Sequence, residues 1–309
     1  MDARDNTGRP LKSIGIISAR DAAYHPNRRL LEAAAQRGSH AVLIDPYQVR
    51  PVIRAGRTVF LGRPDPARLN VILPRQGATV GDSSLALIQG LAHMGIPLVN
   101  GPAAIRIARN KMTTLQVLAS AGIPVPDTVL VNAQDHFTRA AAELGGYPLV
   151  VKAVSGRQGD DILLIENPRQ ADAFLQRPWS PRTGFILQQF IPPEARRDLR
   201  VLVVGGRVAG AVTLRPAAGD FRANFHLTGH ARMTKPAPAV AETALKAVTA
   251  AGLDIAGVDM LLDAQGRLVI IEINYAPGFQ GLEKATGLDV AGRIIDYALW
   301  KGQVRQGAD

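Results

Sequence analysis

Residues 257 to 287 read GVDMLLDAQGRLVIIEINYAPGFQGLEKATG, and this stretch decides the architecture. An apolar run from Val258 to Leu262, a polar turn at Asp263-Ala264-Gln265-Gly266 and a second run from Leu268 to Asn274 spell a β-hairpin. An even-numbered connection sets Asp259 opposite Ile270. Alternation along the strands then gathers Asp259, Ile270, Glu272 and Asn274 on one face. Two carboxylates and an amide oxygen converge there among apolar residues, where a carboxylate needs a partner. Magnesium is held by one or two carboxylates together with substrate phosphate oxygens, so one reading is a magnesium–nucleotide site. The other is a hairpin with a solvated polar face, in which Asn274 only opens the turn before Pro277-Gly278.

The rest of the chain narrows the choice. Its 309 residues are enough for two domains or two lobes around a cleft, and 47% apolar with 20% charged residues is ordinary globular composition. Without cysteine, disulfides, thiolate catalysis and cysteine-ligated zinc are excluded. The polar start, MDARDNTGRPLK, has no signal-peptide core and no long apolar run follows it, so the expectation is a cytoplasmic protein without a membrane partner. A formal charge of +10 suits anionic small molecules. The basic residues are dispersed, which argues against a nucleic-acid partner.

In chain order, Ser13-Ile14-Gly15-Ile16-Ile17 reads as a buried strand, a helix runs from about Asn27 to Gln36, and Ala41 to Ile44 is the next strand. Val71-Ile72-Leu73 and Pro97-Leu98-Val99 are further strands, separated by a helix from Ser83 to Met94. Alternating strands and helices predict an open, mostly parallel α/β domain over 13–101. No G-x-G-x-x-G fingerprint is present. Arg75 and Gln76 follow a central strand, where open sheets bind ligands. A helical stretch, 102–121, carries Lys111. Leu149-Val150-Val151-Lys152-Ala153-Val154 then places a single lysine inside an apolar strand, followed at once by Ser155-Gly156-Arg157-Gln158-Gly159. A buried lysine must reach an acid or a phosphate, and glycines let backbone amides approach a phosphate closely. Further on, Phe185 to Ile191 is a strand, and Asp198 to Val204 with Arg207 to Leu214 forms a hairpin about Gly205-Gly206. Arg222, Asn224 and His226 are spaced by two, so an extended backbone points them one way. Helices are expected at Glu242 to Ala251 and Leu288 to Trp300.

Order and spacing together resemble the ATP-grasp superfamily, and most closely the RimK-like α-L-glutamate ligases. The likeness rests on NVILPRQG, ARNKMTTLQVLASAGIPVP, YPLVVKAVSG, DLRVLVVGG, GDFRANFH and GVDMLL…IIEINYAPGFQGLEKATG. It implies an α/β fold with α+β lobes: an N-terminal α/β substrate domain over 13–101, a central lobe with the phosphate loop over 102–189, and a C-terminal lobe with the metal site over 190–300. It implies an ATP-dependent ligase that adds L-glutamate to the carboxylate of an acidic acceptor through an acyl phosphate. Lys111 and Lys152 would meet the ATP phosphates beneath a loop that includes Ser155, Gly156 and Gly159. Gln188, Gln189, Phe190 and Ile191 would be the hinge at the adenine, and Asp198 would touch the nucleoside. Arg200, Arg222 and Asn224 would be catalytic, facing the γ-phosphate and the acyl phosphate. Asp259, Glu272 and Asn274 would hold two magnesium ions, or manganese. Arg75, His226, Tyr275 and Gly278 would meet substrates. A homo-oligomer, dimer or tetramer, is the expected assembly.

The sequence departs from the family pattern where substrates would be met. Asp160-Asp161 follows Gly159 in place of a small aliphatic segment and a glycine, Gln189 replaces a hinge glutamate, Leu227-Thr228-Gly229 replaces Arg-Gly-Gly, and Tyr275-Ala276-Pro277-Gly278-Phe279-Gln280-Gly281 replaces Ala-Ser-Pro-Gly-Leu-Glu-Gly. Two alternatives follow: an ATP-grasp ligase using another amino acid or amine, and a nucleotide-binding scaffold without turnover.

Overall fold

A computed structural model describes residues 12–77, 80–155, 162–177, 180–182, 184–217, 220–222 and 231–306. The N-terminal portion is built on a parallel three-stranded sheet in the order β2-β1-β5, from β1 (Ser13–Ile17), β2 (His40–Ile44) and β5 (Val71–Pro74). Leu98 adds a parallel bridge to Ile72, which is all that remains of the strand expected at 97–99. Helix α1 (His25–Gln36) and helix α2 (Asp82–His93) complete this open α/β unit. A small antiparallel hairpin, β3 (Arg50–Arg54) with β4 (Arg57–Leu61), lies between β2 and β5 in the chain.

The helix expected over 102–121 is two helices, α3 (Pro102–Arg109) and α4 (Lys111–Ser120). The break has a local cause: Asn110 turns extended and its side chain accepts a hydrogen bond from the Thr113 backbone N–H at 2.9 Å, capping α4. A four-stranded antiparallel sheet follows in the order β6-β9-β7-β8, from β6 (Thr128–Val131), β7 (Leu149–Ala153), β8 (Ile162–Ile165) and β9 (Phe185–Gln189). Helices α5 (Phe137–Glu143) and α6 (Pro168–Leu175) pack on it around Phe137, Phe174, Val151 and Leu187, a core of its own.

The last sheet has five antiparallel strands in the order β12-β11-β10-β13-β14: β10 (Arg196–Val204), β11 (Arg207–Leu214), β12 (Ala231–Met233), β13 (Ile255–Asp263) and β14 (Leu268–Asn274). Helices α7 (Pro238–Ala250), α8 (Gln280–Thr286) and α9 (Val290–Gln306) flank it. Its core is continuous with that of the N-terminal sheet: Ile17, Ile72 and Leu91 cluster with Val201, Val258 and Ile273, while Ile14, Ile16 and Leu30 cluster with Leu202, Ile255 and Ile294. The N-terminal unit and the five-stranded sheet are thus packed as one body, and the four-stranded lobe, with a separate core, stands over it. Among the described residues no helix is long and apolar enough to cross a membrane.

Asn100 fastens that body. Its buried amide donates to the carbonyls of Ile255 (2.8 Å) and Tyr275 (2.7 Å), and its oxygen accepts from the backbone N–H groups of Asp254 (2.6 Å) and Ile255 (2.9 Å). One side chain therefore satisfies four backbone groups at the start of β13 and the end of β14.

Candidate active site

Three strands line up the first part of the site. Arg200 on β10 lies directly opposite Asp259 on β13, which lies opposite Glu272 on β14. Side chains directly opposite one another share a face and stand about 4.5–5.5 Å apart at Cβ, so these three form a row across the sheet. The expected pairing of Asp259 with Ile270 is corrected here. Asp263 accepts hydrogen bonds from the N–H groups of Gln265 (2.9 Å) and Arg267 (2.8 Å), and the turn spans 263–267, an odd number. Met260 consequently faces Ile270, and a bulge at Ile271 shifts the register so that Asp259 meets Glu272. Without that extra residue the two carboxylates would lie on opposite faces of the sheet; the bulge brings them together. Ile270 leaves the polar face and is fully buried in the core with Met260.

Asp259 is the hub of the row. Both of its oxygens accept from the Arg200 guanidinium, Nε and Nη2 each at 2.6 Å, and Asn274 Nδ2 donates to it at 3.2 Å. This bidentate pair raises the Arg200 pKa against the opposing pull of burial. Among the described residues Glu272 receives no such partner; burial first, and then the nearby Asp259 charge, raise its pKa, while Lys111, Lys152 and Arg200 act the other way. Opposite Asn274, Gly257 leaves room for the chain to fold back: a Cβ there would stand 3.0 Å from the Pro277 Cβ.

Lys152, on β7 of the other lobe, faces this row. It is 8% exposed, and its Nζ donates to Gln188 Oε1 at 2.6 Å; Gln188 Nε2 in turn donates to Thr128 Oγ1 at 2.9 Å. Burial pulls the ammonium down to about 8, against the attraction of Glu272. Lys111 opens α4, with its backbone N–H on the Val154 carbonyl at 2.9 Å, close enough for its charge to be felt at both Glu272 and Lys152.

Between the two sheets is a cleft enclosing a cavity of about 100 Å³, whose walls include Lys152, Gln188, Phe190, Asp198, Asp259 and Glu272. Gln189, Ile191 and Arg222 also line it. Asp198 is buried, and burial raises its pKa against the bond that Arg196 Nε donates to its Oδ1 at 2.7 Å. Arg196 also donates to the Ile191 carbonyl and, at 2.6 Å, to the Phe221 carbonyl. It therefore ties the hinge segment to β10, and it is a residue the motif reading passed over; its position two before Asp198 on one strand was the available signal. Arg222 pairs with Asp220 through Nη2 at 2.9 Å. Ser155 is exposed at the end of β7. Gly156, Gly159, Asn224 and His226, with Asp160-Asp161, lie outside the described residues.

The substrate candidates meet at the junction with the N-terminal sheet. Arg75 donates to the Pro277 carbonyl at 2.6 Å, and the Tyr275 hydroxyl donates to the Gly77 carbonyl, so the segment after β5 grips the segment after β14; Gly278 lies in that second segment.

Comparison with known proteins identifies this arrangement. The RimK-like ATP-grasp domain matches residues 108–298, and the RimK pre-ATP-grasp domain matches residues 13–105. The chain belongs to the RimK-like ATP-grasp family. A probable alpha-L-glutamate ligase of Thioalkalivibrio sulfidiphilus is 35% identical, over 92% of this chain and 94% of that protein. A ribosomal protein bS6–L-glutamate ligase of Salmonella paratyphi B is 36% identical over the same shares. Among solved structures, the RimK domain ATP-grasp protein of Sphaerobacter thermophilus superposes with a TM-score of 0.73 at 26% identity, covering 93% of this chain and 99% of that one. The ATP-grasp ligase PsnB, with a TM-score of 0.72 at 20% identity over 94% and 99%, shares the fold. The protein is thus an amide-bond-forming ligase of the glutamate ligase type, and ATP and metal binding are typical of its family.

The metal question has a local answer. Among the described residues no group of three or more His, Cys, Asp or Glu side chains forms a closed cage. The site offers instead two adjacent carboxylates, and Asn274 turns its amide N–H to Asp259, which leaves its oxygen as a donor atom. Two carboxylates and one amide oxygen fit magnesium completed by phosphate oxygens and water.

Proposed function

We propose that this ligase adds L-glutamate to a carboxylate of an acidic small molecule, cofactor tail or protein C-terminus through an acyl-phosphate intermediate. The row Arg200–Asp259–Glu272, facing Lys152 across the cleft between the two sheets, is the observation that carries the reading. Lys152 and Lys111 hold the ATP phosphates, and the hinge at 188–191 borders the adenine. Asp259, Glu272 and Asn274 would hold magnesium, which when bound would neutralise charge developing on the transferred phosphoryl group. The acceptor carboxylate oxygen takes the γ-phosphoryl group and ADP leaves. The glutamate amine, once deprotonated, attacks the acyl carbon and expels inorganic phosphate. Arg200 and Arg222 orient the phosphoryl oxygens. The names carried by the relatives, alpha-L-glutamate ligase and ribosomal protein bS6–L-glutamate ligase, support glutamate as the amine and admit a protein tail as acceptor.

The test is ADP release by the purified protein with magnesium–ATP, each amino acid in turn and a small-molecule extract, with mass spectrometry for a product heavier by one residue. Glutamate-dependent product, lost in Glu272→Ala, is expected. Product that persists unchanged in Glu272→Ala would refute the metal assignment.

A further inference from the structure

Lys152 is steadied by an amide, not by an acid. Among the described residues its Nζ has one hydrogen-bond partner, Gln188 Oε1 at 2.6 Å, and it joins no ion pair. A neutral acceptor fixes the head group and leaves its charge uncancelled for a phosphate. An ammonium has three N–H donors and no acceptor, so two remain for ligand oxygens. The grip depends on which end of the amide faces the lysine. Turned over, Gln188 would set its own N–H groups against the ammonium and hold nothing.

Thr128 decides that orientation. It lies on β6 directly opposite Gln188 on β9, and Gln188 lies opposite Val150 on β7, two residues before Lys152. Opposite and diagonal neighbours share a face, and the diagonal is within reach of long side chains. The Thr128 hydroxyl donates its one proton to the Pro126 carbonyl at 2.8 Å, so its oxygen can only accept. Gln188 Nε2 donates to that oxygen at 2.9 Å, which turns the amide oxygen to Lys152. Gln188 is buried, away from competing water.

Pro126 is itself fixed. It sits in the connection between α4 and β6, where Pro124 and Pro126 restrict the backbone. The Pro124 carbonyl accepts from the Ile270 N–H of β14 at 2.9 Å, and the Asp127 carbonyl accepts from the Gln189 N–H that follows Gln188 on β9, also at 2.9 Å. The connection is thus bonded both to the sheet that carries Glu272 and to the sheet that carries Lys152. Thr128 takes its bearing from chain that bridges the two walls of the cleft.

We propose that Thr128 is a positioning residue for the ligase reaction: through the Gln188 amide it sets the Lys152 head group toward the triphosphate. The inference rests on the reading of Lys152 as a phosphate ligand. Thr128 is not among the residues that wall the cleft, so it acts through Gln188 and not by touching nucleotide.

Calorimetry of the full-length protein with magnesium and a non-hydrolysable ATP analogue tests it. Thr128→Val keeps the shape and removes the hydroxyl. It should weaken binding about 3- to 10-fold, because a freed lysine must then be ordered at each binding event. Thr128→Ser keeps the hydroxyl and should bind within about twofold of the wild type. In a Lys152→Met background Thr128→Val should add nothing, since positioning acts only through the lysine. Should Thr128→Val fail to fold, Thr128→Ala carries the same comparison. The inference is overturned if Thr128→Val lowers affinity equally with and without Lys152, which is the mark of a purely structural role, or if Thr128→Ser binds as weakly as Thr128→Val. A weakened Lys152→Met beside an unchanged Thr128→Val would defeat this inference alone. Lys152→Met binding as tightly as the wild type would defeat the phosphate reading of Lys152, and this inference with it.

Discussion

Lys152 should make nucleotide binding take up a proton, and the amount follows from its surroundings. Burial lowers its pKa to about 8 in the free protein. At pH 8.5 about three-quarters of the molecules then hold a neutral amine, and at pH 6.5 only about 3% do. A triphosphate beside Nζ restores the charged form, since an opposite charge raises an ammonium pKa. Binding of magnesium–ATP at pH 8.5 should therefore take up about 0.7 proton and be about fourfold weaker than at pH 6.5, where uptake at Lys152 vanishes. Calorimetry in two buffers of different ionisation enthalpy measures the uptake directly. Lys152→Met cancels the protons of other groups by subtraction and should lack the pH 8.5 component. Equal uptake in the wild type and in Lys152→Met would refute the reasoning. The linkage also has a sign in stability. Between pH 8 and the ordinary lysine value the unfolded chain binds the extra proton, so the Lys152 contribution makes stability rise with pH there. Below pH 8 the cost of burying the charge is fully present. Lys152→Met should thus melt at or above the wild-type temperature at pH 7 while losing ATP affinity.

Three other perturbations read the scaffold. Asn100→Leu strands four buried backbone groups and should cost about 4 kcal/mol or prevent folding; an unchanged denaturation midpoint would contradict the clamp. Arg196→Met leaves Asp198 buried without its cation and should cost about 3–5 kcal/mol, with Arg196→Met/Asp198→Leu regaining most of it in a double-mutant cycle. Gly205→Ala would put a Cβ 2.2 Å from Tyr297 Cδ2 at a backbone φ of +57°, and Tyr297 is held by Asp254 at 2.6 Å. A loss of about 1–3 kcal/mol is expected, partly relieved by adding Tyr297→Ala.

What was legible in the sequence was whatever short-range pattern controls. The runs at 13–17, 149–153, 198–204 and 258–262 are apolar because their strands are buried on both faces, and period alone finds them. The β3–β4 hairpin carries Arg50, Arg54 and Arg57 around partly exposed apolar residues and offers no buried run to read. The register of the β13–β14 hairpin differs from the expected one by one residue beside the turn, because the turn has five residues, and by two at Asp259, because Ile271, the bulge, is as good a strand former as its neighbours and gives no local sign. Asp259, Glu272 and Asn274 were still gathered on one face, since the odd turn and the bulge each shift the pairing by one residue in the same direction, and a shift of two residues keeps the face. Asn100 escaped because its partners lie at 254–255 and 275, and the spacing of Arg196 to Asp198, though local, gives no sign of its bonds to 191 and 221.

The Asn100 clamp has a consequence for recombination between relatives. The segment that follows Asn274 is gripped from the N-terminal unit: Asn100 and Gly77 meet Tyr275, and Arg75 meets Pro277. A chimera that imports the first hundred residues from a relative replaces one half of each of these contacts and keeps the other. Crossover points at 101 alone therefore cut through a joint, whereas exchanges that carry 254–255 and 275–279 along transfer it whole. Substrate preference and the geometry of the segment after Asn274 should then travel between family members as a single inherited unit.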